Sequence, residues 1–332
     1  MSPFRRPSST TPRATVRAAA ALGAAALLLT GCGTDTDSES GSDSGKGGGG
    51  SSAARTVKDA TGKAVKVPVK PERVVTLTQE DLDAALALGV EPVGITNGQG
   101  MNKPPAYLAD KVKGVKVVGN LLQPVMDKVI AAKPDLILAG DMQDEQMLKQ
   151  LREITPATLV TMAPTDNWKL SFRGVGNAVN KLDKANKVIA SQEKAARRAG
   201  KELGGEKGAE VSIVRWNPDG PSWMEKDQFA SGVALEMGLK RPKSQQKEGN
   251  AHAPSLSLEK IDEIDGDWLF LSTLTADGDK ALKEIQAKPA YKELGAVKDQ
   301  HAVTVDGSVW STRGGPLAAE SVMNDITRAL TK

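Results

Sequence analysis

The side chains best suited to covalent or acid–base chemistry are scarce here, with one cysteine and two histidines among 332 residues. The cysteine, Cys32, has no partner for a disulfide within the chain. The stretch before it holds four arginines, no acidic residue and an apolar run over 18–29. That run is shorter than the roughly 20 residues of a membrane-spanning helix. A basic region before a short apolar run is typical of secretory signals, so we predict a signal peptide over residues 1–31.

The residues directly before the cysteine, Leu29-Thr30-Gly31, resemble the bacterial lipobox. In that signal the thiol is acylated and the chain is cut before it, which implies that Cys32 becomes a lipid-bearing first residue. A buried thiol or an ordinary cleaved signal is the alternative. The next segment, 32–54, is mainly Gly, Ser and acidic residues, a composition that behaves as a flexible coil. We therefore expect a tether over 32–54 and a lipid-anchored protein on the extracytoplasmic face of the cell membrane.

The charge balance gives no support for a nucleic-acid partner. Lys and Arg number 44 against 41 Asp and Glu, a net charge of +3. Loss of the four signal arginines leaves 40 basic residues against 41 acidic ones, so the mature chain is close to neutral. Its length allows one large or two ordinary domains, and we expect a monomer.

Enzyme and metal motifs are weak. Ser257-Leu-Glu-Lys260 fits the S-x-x-K pattern of one class of serine enzymes, but the S-D-N and K-T-G motifs that accompany it are absent from the sequence. Ser257 precedes a predicted helix over 258–264 and is interpreted as its cap. His252 and His301 lie far apart in sequence without clustered partners, which makes a poor metal site. We predict no enzyme and no resident metal; a surface hydrolase built on Ser257 is the alternative from another class.

Strands and helices alternate along most of the chain after a predicted hairpin at Thr61-Gly62. Alternating βα units with apolar strands indicate α/β sheets covered on both faces. Residues 165–203 interrupt them with a helical pattern that lacks proline, although glycines at 174 and 176 weaken it. The predicted fold is α/β, with two doubly wound lobes (55–164 and 204–332), one long linking helix (165–203) and a ligand cleft between the lobes.

Large flat side chains follow strands of the second lobe. Trp216 ends the strand predicted at 211–216, Trp223 follows a turn, and Trp310 lies in the loop before the last helix. Ligands of open α/β sheets bind beyond the carboxyl ends of strands, and large amphipathic ligands need flat apolar walls with a few fixed donors. Arg215, at the same strand end, offers a fork of donors to oxygen ligands. Packing in the core is the alternative for the tryptophans, and a surface acid for the arginine.

Four segments then occur in a characteristic order: DATGKAVKVPVKPERVV, ALALGVEPVGI, IAAKPDLIL and WSTRGGPLAAESVMND. With them, residues 55–330 resemble the helix-linked class of periplasmic-type substrate-binding proteins that serve ferric-siderophore, haem and cobalamin ABC importers. The resemblance implies a receptor that binds iron already chelated by a siderophore, needs no cofactor and delivers its ligand to a membrane permease.

The resemblance also implies ligand contacts, because similar siderophore receptors place an arginine and tryptophans at this strand and in the loop before the last helix. The loop TNGQGMN of the first lobe is the matching rim. With the tryptophan from the turn, the candidate contacts are Arg215, Trp216, Trp223, Trp310, Arg313, Asn97, Gln99 and Met101.

Docking residues follow from the resemblance in the same way. In the family, one carboxylate near the top of each lobe docks onto arginines of the permease. The matching helices place Asp127 and Glu259 at these points, with aspartate at 127 instead of the more usual glutamate. Acids in the first turn of a helix are also favoured by its dipole.

About two arginines in a cleft suit a ligand of low charge. A ferric tris-hydroxamate carries little net negative charge, whereas a triply negative catecholate complex would need a stronger basic lining. We therefore predict a hydroxamate-type siderophore. Haem or a corrinoid, held by Met101 or His252, is the alternative within the same fold.

Overall fold

The computed structural model describes residues 53–331, so the predicted signal peptide, Cys32 and the tether up to residue 52 lie outside the described residues. The described part begins with an antiparallel hairpin of β1 (Ala54–Lys58) and β2 (Ala64–Pro68). The Asp59 carboxylate holds its turn by accepting hydrogen bonds from the backbone amides of Thr61 (2.9 Å) and Lys63 (3.0 Å). The predicted hairpin is present, and residue 54, predicted as tether, already belongs to β1.

The first lobe is built on a six-stranded sheet that is parallel except at one edge. Its strands are short, and three of its four interior strands are buried throughout because helices cover both faces. In chain order they are β3 (Val74–Thr76), β4 (Gly94–Thr96), β5 (Lys116–Asn120), β6 (Gln123–Pro124), β7 (Leu136–Leu138) and β8 (Thr158–Leu159). The helices are α1 (Gln79–Ala87), α2 (Met126–Ala132) and α3 (Glu145–Ile154), with a 3-10 segment at Ala106–Val112.

The strand order of this sheet is β6-β5-β4-β3-β7-β8. From β3 the chain adds strands outward on one side, and it then returns to add β7 and β8 on the other side. The order therefore reverses between β3 and β7. A crevice forms at such a reversal, beyond the carboxyl ends of the two strands, because the connections leave in opposite directions.

Residues 165–203, predicted as one linking helix, form two helices, α4 (Trp168–Ala178) and α5 (Leu182–Glu202). The break includes Asn180, which has a left-handed backbone (φ +57°), a conformation that asparagine tolerates better than most residues. Ala185 of α5 packs in the first-lobe core and Ala196 in the second-lobe core. The link is therefore α5 alone, and α4 packs with the first lobe.

The second lobe is a four-stranded sheet in the order β10-β9-β11-β12, parallel except between β9 and β10. The strands are β9 (Val211–Asn217), β10 (Gly220–Trp223), β11 (Trp268–Ser272) and β12 (Ala302–Thr304). The helices are α6 (Phe229–Glu236), α7 (Ala276–Gln286), α8 (Pro289–Lys292), α9 (Gly295–Lys298), α10 (Gly307–Trp310) and α11 (Pro316–Leu330). 3-10 segments lie at Gly204–Glu206, Lys243–Gln245 and Leu258–Ile264. The helix predicted over 258–264 is thus a 3-10 segment, kinked at Lys260.

A buried carboxylate ties the two lobes together. Asp83 of α1 accepts hydrogen bonds from the backbone amides of Leu317 and Ala318, both at 2.9 Å, in the first turn of α11. It also accepts from the hydroxyl of Tyr107 at 3.0 Å. Gly315 is required beside it, because a Cβ there would come within 2.5 Å of the Asp83 carboxylate. None of the helices within residues 53–331 is long and apolar enough to cross a membrane.

Candidate ligand-binding cleft

A cavity of about 530 Å³ lies between the lobes, beside the point where the strand order of the first sheet reverses. The first lobe lines it with the start of α1, the loop after β8 and the start of α4. The second lobe lines it with α6, the loop at 249–250 and the loop before α11. The side chains at its wall include Glu80, Met162, Trp168, Phe229, Asn250 and Arg313.

Arg313 reaches across the cleft to the first lobe. Its Nη1 lies 3.3 Å from Oδ2 of Asp141, which follows β7, and its Nη2 donates to the carbonyl of Pro164. Asn250 donates to the same carbonyl from the second lobe at 2.6 Å. Both members of the Arg313–Asp141 pair keep close to 30% of their side-chain surface exposed. The guanidinium is therefore held by the opposite lobe and is still reachable from the cavity.

Glu80, in the first turn of α1, brings a carboxyl group to the same place. Burial raises the pKa of Glu80 to about 8, with the charges of Asp81 and Asp141 adding to the rise and Arg313 opposing it. Neighbouring Asp81 is fully buried and accepts from the Gly140 amide (2.8 Å), but burial still raises the pKa of Asp81 to about 6. Glu80 thus lines the cavity with a raised proton affinity, and Asp81 is buried beside it in the same turn of α1.

Arg215 lies near the carboxyl end of β9, as predicted, and is almost wholly buried. Its Nη2 contacts Nε2 of His252, and its Nε is buried without a hydrogen-bond partner among the described residues. Burial lowers the pKa of Arg215. The group in direct contact with Arg215 is thus an imidazole, and the charge of Asp219 acts on the guanidinium without forming an ion pair with it.

His252 was a candidate haem ligand, but both of its ring nitrogens are engaged. Nε2 meets Arg215, and Nδ1 lies 3.1 Å from the carbonyl of Ala253. His252 is not among the residues that line the cavity. In this arrangement the structure favours a positioning role beside Arg215 over iron ligation.

The prediction that tryptophans of the second lobe wall the cleft is wrong for Trp216 and Trp310. Their side chains are 2% and 0% exposed and belong to the lobe's core clusters. Trp310 stacks on Phe270 with ring centroids 4.6 Å apart and donates its Nε1 to Asp325 at 3.0 Å. Trp223 is likewise buried in the core. Both faces of this sheet are covered, so a large apolar ring at a strand end is drawn into the core.

The rim loop of the first lobe faces the second lobe without lining the cavity. Asn97 donates to Oδ1 of Asn120 at 2.9 Å, Gln99 is exposed, and Met101 packs over Gly98. A Cβ on Gly100 would lie 3.8 Å from the carbonyl of Leu274 in the second lobe. Ligand contact by Asn97, Gln99 and Met101 stays a prediction.

Trp168 is a cavity residue that the sequence analysis did not identify. It is the first residue of α4, half-buried, and packs against the cores of both lobes. Next to it, Lys169 pairs with Glu193 of α5 (2.8 Å) and Glu236 of α6 (2.5 Å). Asn167 caps the helix by accepting from two backbone amides at 3.1 Å. Asn167 was the local sequence signal that could have identified Trp168, because a capping asparagine places the next residue at the start of a helix, here α4, which precedes the linking helix α5.

The serine motif forms a cap, as predicted. Ser257 accepts a hydrogen bond from the Glu259 amide at 3.3 Å at the start of the 3-10 segment, and Lys260 lies 3.5 Å from Glu263. Within residues 53–331, no three or more His, Cys, Asp or Glu side chains are grouped so that they would hold a metal ion.

The two predicted docking acids lie on the surface of different lobes. Asp127 is exposed in the first turn of α2, and Glu259 is exposed in the first turn of the 3-10 segment. Large exposed aliphatic side chains lie beside each acid. Ile130 is 53% exposed near Asp127, and Leu258, next to Glu259, is 49% exposed. Each lobe thus presents an exposed carboxylate with an exposed aliphatic side chain near it.

This chain is similar in sequence and in fold to several known proteins. The family model described as periplasmic binding protein matches residues 74–309. A probable siderophore-binding lipoprotein of Bacillus subtilis (strain 168) is 35% identical over 286 residues, which cover 83% of this chain and 87% of that protein. The iron(3+)-hydroxamate-binding protein of the same organism is 29% identical, over 81% of this chain and 84% of its own. The crystal structure of Staphylococcus aureus SirA complexed with staphyloferrin B has a TM-score of 0.72 and 26% identity, covering 83% of this chain and 98% of SirA.

Proposed function

Because this chain belongs to the periplasmic binding protein family, we propose that it is the lipid-anchored receptor of an ABC importer and captures a ferric siderophore between its lobes. The receptor acts as a monomer, binds without chemical conversion and docks with its ligand on a membrane permease. The names of the relatives support the ligand class, since they include siderophore-binding lipoproteins.

The observation that carries the proposal is the cavity between the lobes with Arg313 at its wall. Ligand oxygens that carry negative charge need donors that are fixed in place but accessible, and a guanidinium offers several in one plane. Arg313 fits this need, because it is anchored at Asp141 and Pro164 and remains partly exposed. Trp168 and Phe229 add apolar wall.

A hydroxamate siderophore fits the charges of the cleft better than a highly charged chelate. Arg313 is already paired with Asp141 and Lys169 with Glu236, and Asp166 and Asp227 line the same cavity. A triply negative complex would meet these acidic groups with few cations to balance it. An uncharged ferric tris-hydroxamate meets no such penalty, and a hydroxamate-binding relative is among the similar proteins.

Binding can be measured by tryptophan fluorescence of the chain from residue 33 onward, which lacks the lipidated cysteine. Ferrichrome, an uncharged ferric tris-hydroxamate, is expected to quench saturably at sub-micromolar concentration. Trp168→Phe should remove a large part of the quenching, because this indole lines the cavity. Trp268→Phe, a matched change in the second-lobe core, should leave it in place.

Two outcomes would contradict the proposal. If only haem or cobalamin saturates the protein, the fold assignment stands but the proposed ligand is wrong. Bound haem would also give a Soret band on the purified protein. No saturation by ferrichrome, ferric citrate, a ferric catecholate, haem or cobalamin would overturn the transport function.

Docking is tested by reversing the charge of both exposed acids. The double change Asp127→Lys and Glu259→Lys is expected to reduce uptake of radioactive iron from ferrichrome at least tenfold in the cells that make this protein. A like charge facing permease arginines costs several kcal/mol across an interface. Ferrichrome affinity should not change, since both residues lie on the surface away from the cavity lining. Asp110→Lys, another exposed acid of the first lobe, is the control that should transport normally.

The lipid anchor is part of the same proposal. A relative 35% identical is named a lipoprotein, which supports acylation of Cys32. Cells grown with radioactive palmitate should label the wild-type protein and not Cys32→Ala. Equal labelling of the two would place the lipid elsewhere and contradict the proposed anchor.

A further inference from the structure

Glu80 is a carboxyl group in the cavity wall whose role the proposed function leaves open. It follows the N-cap of α1, at the carboxyl end of β3 and next to the reversal of strand order. Its side chain borders the cavity, together with Arg313 from the other lobe. Among the described residues Glu80 forms no ion pair, and the neighbouring Arg313 guanidinium pairs with Asp141.

The charges around Glu80 favour its uncharged form. Asp81 lies in the same turn, Asp141 approaches from the loop after β7, and the Tyr107 phenol lies nearby. Arg313 is the cation that faces this group, and it pairs with Asp141 at 3.3 Å. One guanidinium cannot balance three carboxyl groups. Asp81 is held by the Gly140 amide and the Thr161 hydroxyl and Asp141 by Arg313, so Glu80, which has no fixed cation, keeps its proton. Burial raises the pKa of Glu80 to about 8 accordingly.

Other charged groups line the remaining walls of the cavity. They are engaged away from Glu80: Lys169 pairs with Glu236, Asp166 accepts from the Ala163 amide, and Asp227 accepts from the Gly249 amide. Lys226 also borders the cavity.

We infer that Glu80 helps to determine which chelate the cleft accepts, by donating a hydrogen bond from a protonated carboxyl to an iron-coordinating oxygen of the ligand. The inference rests on the proposed function. An oxygen bound to ferric iron keeps lone pairs and partial negative charge, so it accepts from a carboxylic acid and is repelled by a carboxylate. Arg313 and Glu80 then offer donors to the ligand from opposite lobes.

Affinity should consequently fall as Glu80 ionises. With a pKa of about 8, the protonated fraction drops about tenfold between pH 7 and pH 9, and the affinity of the wild-type chain for ferrichrome should fall by the same factor. Glu80→Gln keeps an uncharged donor of the same length. It should bind ferrichrome with near wild-type affinity at pH 7 and show no decline up to pH 9.

The dissociation constant of ferrichrome is therefore measured at pH 7, 8 and 9 for wild type, Glu80→Gln and Asp110→Asn. The last variant removes an exposed acid of the first lobe that does not line the cavity, and it should keep the wild-type profile. A flat wild-type profile overturns the inference, and so does an equal decline in Glu80→Gln. The wild-type profile decides the matter even if Glu80→Gln folds poorly, which its melting temperature would reveal. If the wild type binds no ferric chelate at pH 7, the proposed function itself fails; binding without pH dependence removes only the role of Glu80.

Discussion

Replacing Arg313 with alanine is expected to weaken ferrichrome binding at pH 7 by about 10- to 140-fold. A hydrogen bond to a charged group is worth roughly 1.5–3 kcal/mol, and about 1.4 kcal/mol corresponds to a factor of ten in affinity. Arg313 presents its guanidinium at the cavity wall from the second lobe, so its loss leaves the ligand oxygens on that side without their charged donor. Fluorescence titration of the wild type and the variant measures the effect.

Asp141→Asn is the matched control, because it alters the partner of Arg313 and leaves the guanidinium in place. An ion pair with both partners about 30% exposed is worth roughly 1 kcal/mol or less, so release of Arg313 should tighten binding by no more than about fivefold. The two variants are thus expected to act in opposite directions. If Asp141→Asn weakens binding as much as Arg313→Ala does, the pair serves to hold the lobes together and Arg313 does not contact the ligand.

Local sequence signals were sufficient for most of the fold. Helix α11 begins at Pro316 and ends at Leu330, as predicted, because proline at the first helical position and apolar residues at helical spacing are local signals. The break between α4 and α5 was missed, since Asn180 takes a left-handed backbone in a sequence without proline or glycine at that point. The two-residue strand β6 and the short β10 were also missed, because their existence depends on pairing with β5 and β9.

The cleft was harder to predict than the fold. Arg313 and Asp141 are 172 residues apart in the chain, and no local pattern links them. Glu80 gains its position only when β3 is known to lie between β4 and β7, which is a property of the strand order. The prediction for the tryptophans failed in the opposite way, since side chains expected at the cleft lie in the core. Position at a strand end suggested a ligand wall for Trp216, but helices on both faces of the sheet turn that position into core.

Loss of the contact between Asp83 and α11 is expected to destabilise the protein strongly. Asp83→Ala leaves the amides of Leu317 and Ala318 and the Tyr107 hydroxyl without their acceptor in a buried region. Unsatisfied buried donors cost about 1–3 kcal/mol each, partly relieved by water, so we expect a loss of about 3–5 kcal/mol in the free energy of unfolding. Urea unfolding at pH 7.5 measures it. Tyr107→Phe, which removes one of the three donors, should cost about 1 kcal/mol, and exposed Asp110→Ala almost nothing.

The stability cost of Asp83→Ala should also depend on pH, because the Asp83 carboxyl group itself titrates. Burial raises the pKa of Asp83 to about 6 from an ordinary value of 3.8, so the folded state binds a proton more tightly than the unfolded chain. The stabilisation that the folded state gains by binding this proton on Asp83 is therefore fully present below pH 3.8 and is lost as the pH rises through 6. The cost of Asp83→Ala should accordingly be about 1 kcal/mol larger at pH 5 than at pH 7.5. A smaller cost at pH 5 would mean that ionised Asp83 is the form that holds the amides of α11, and that the attraction between the carboxylate and the helix N-terminus outweighs the cost of its burial.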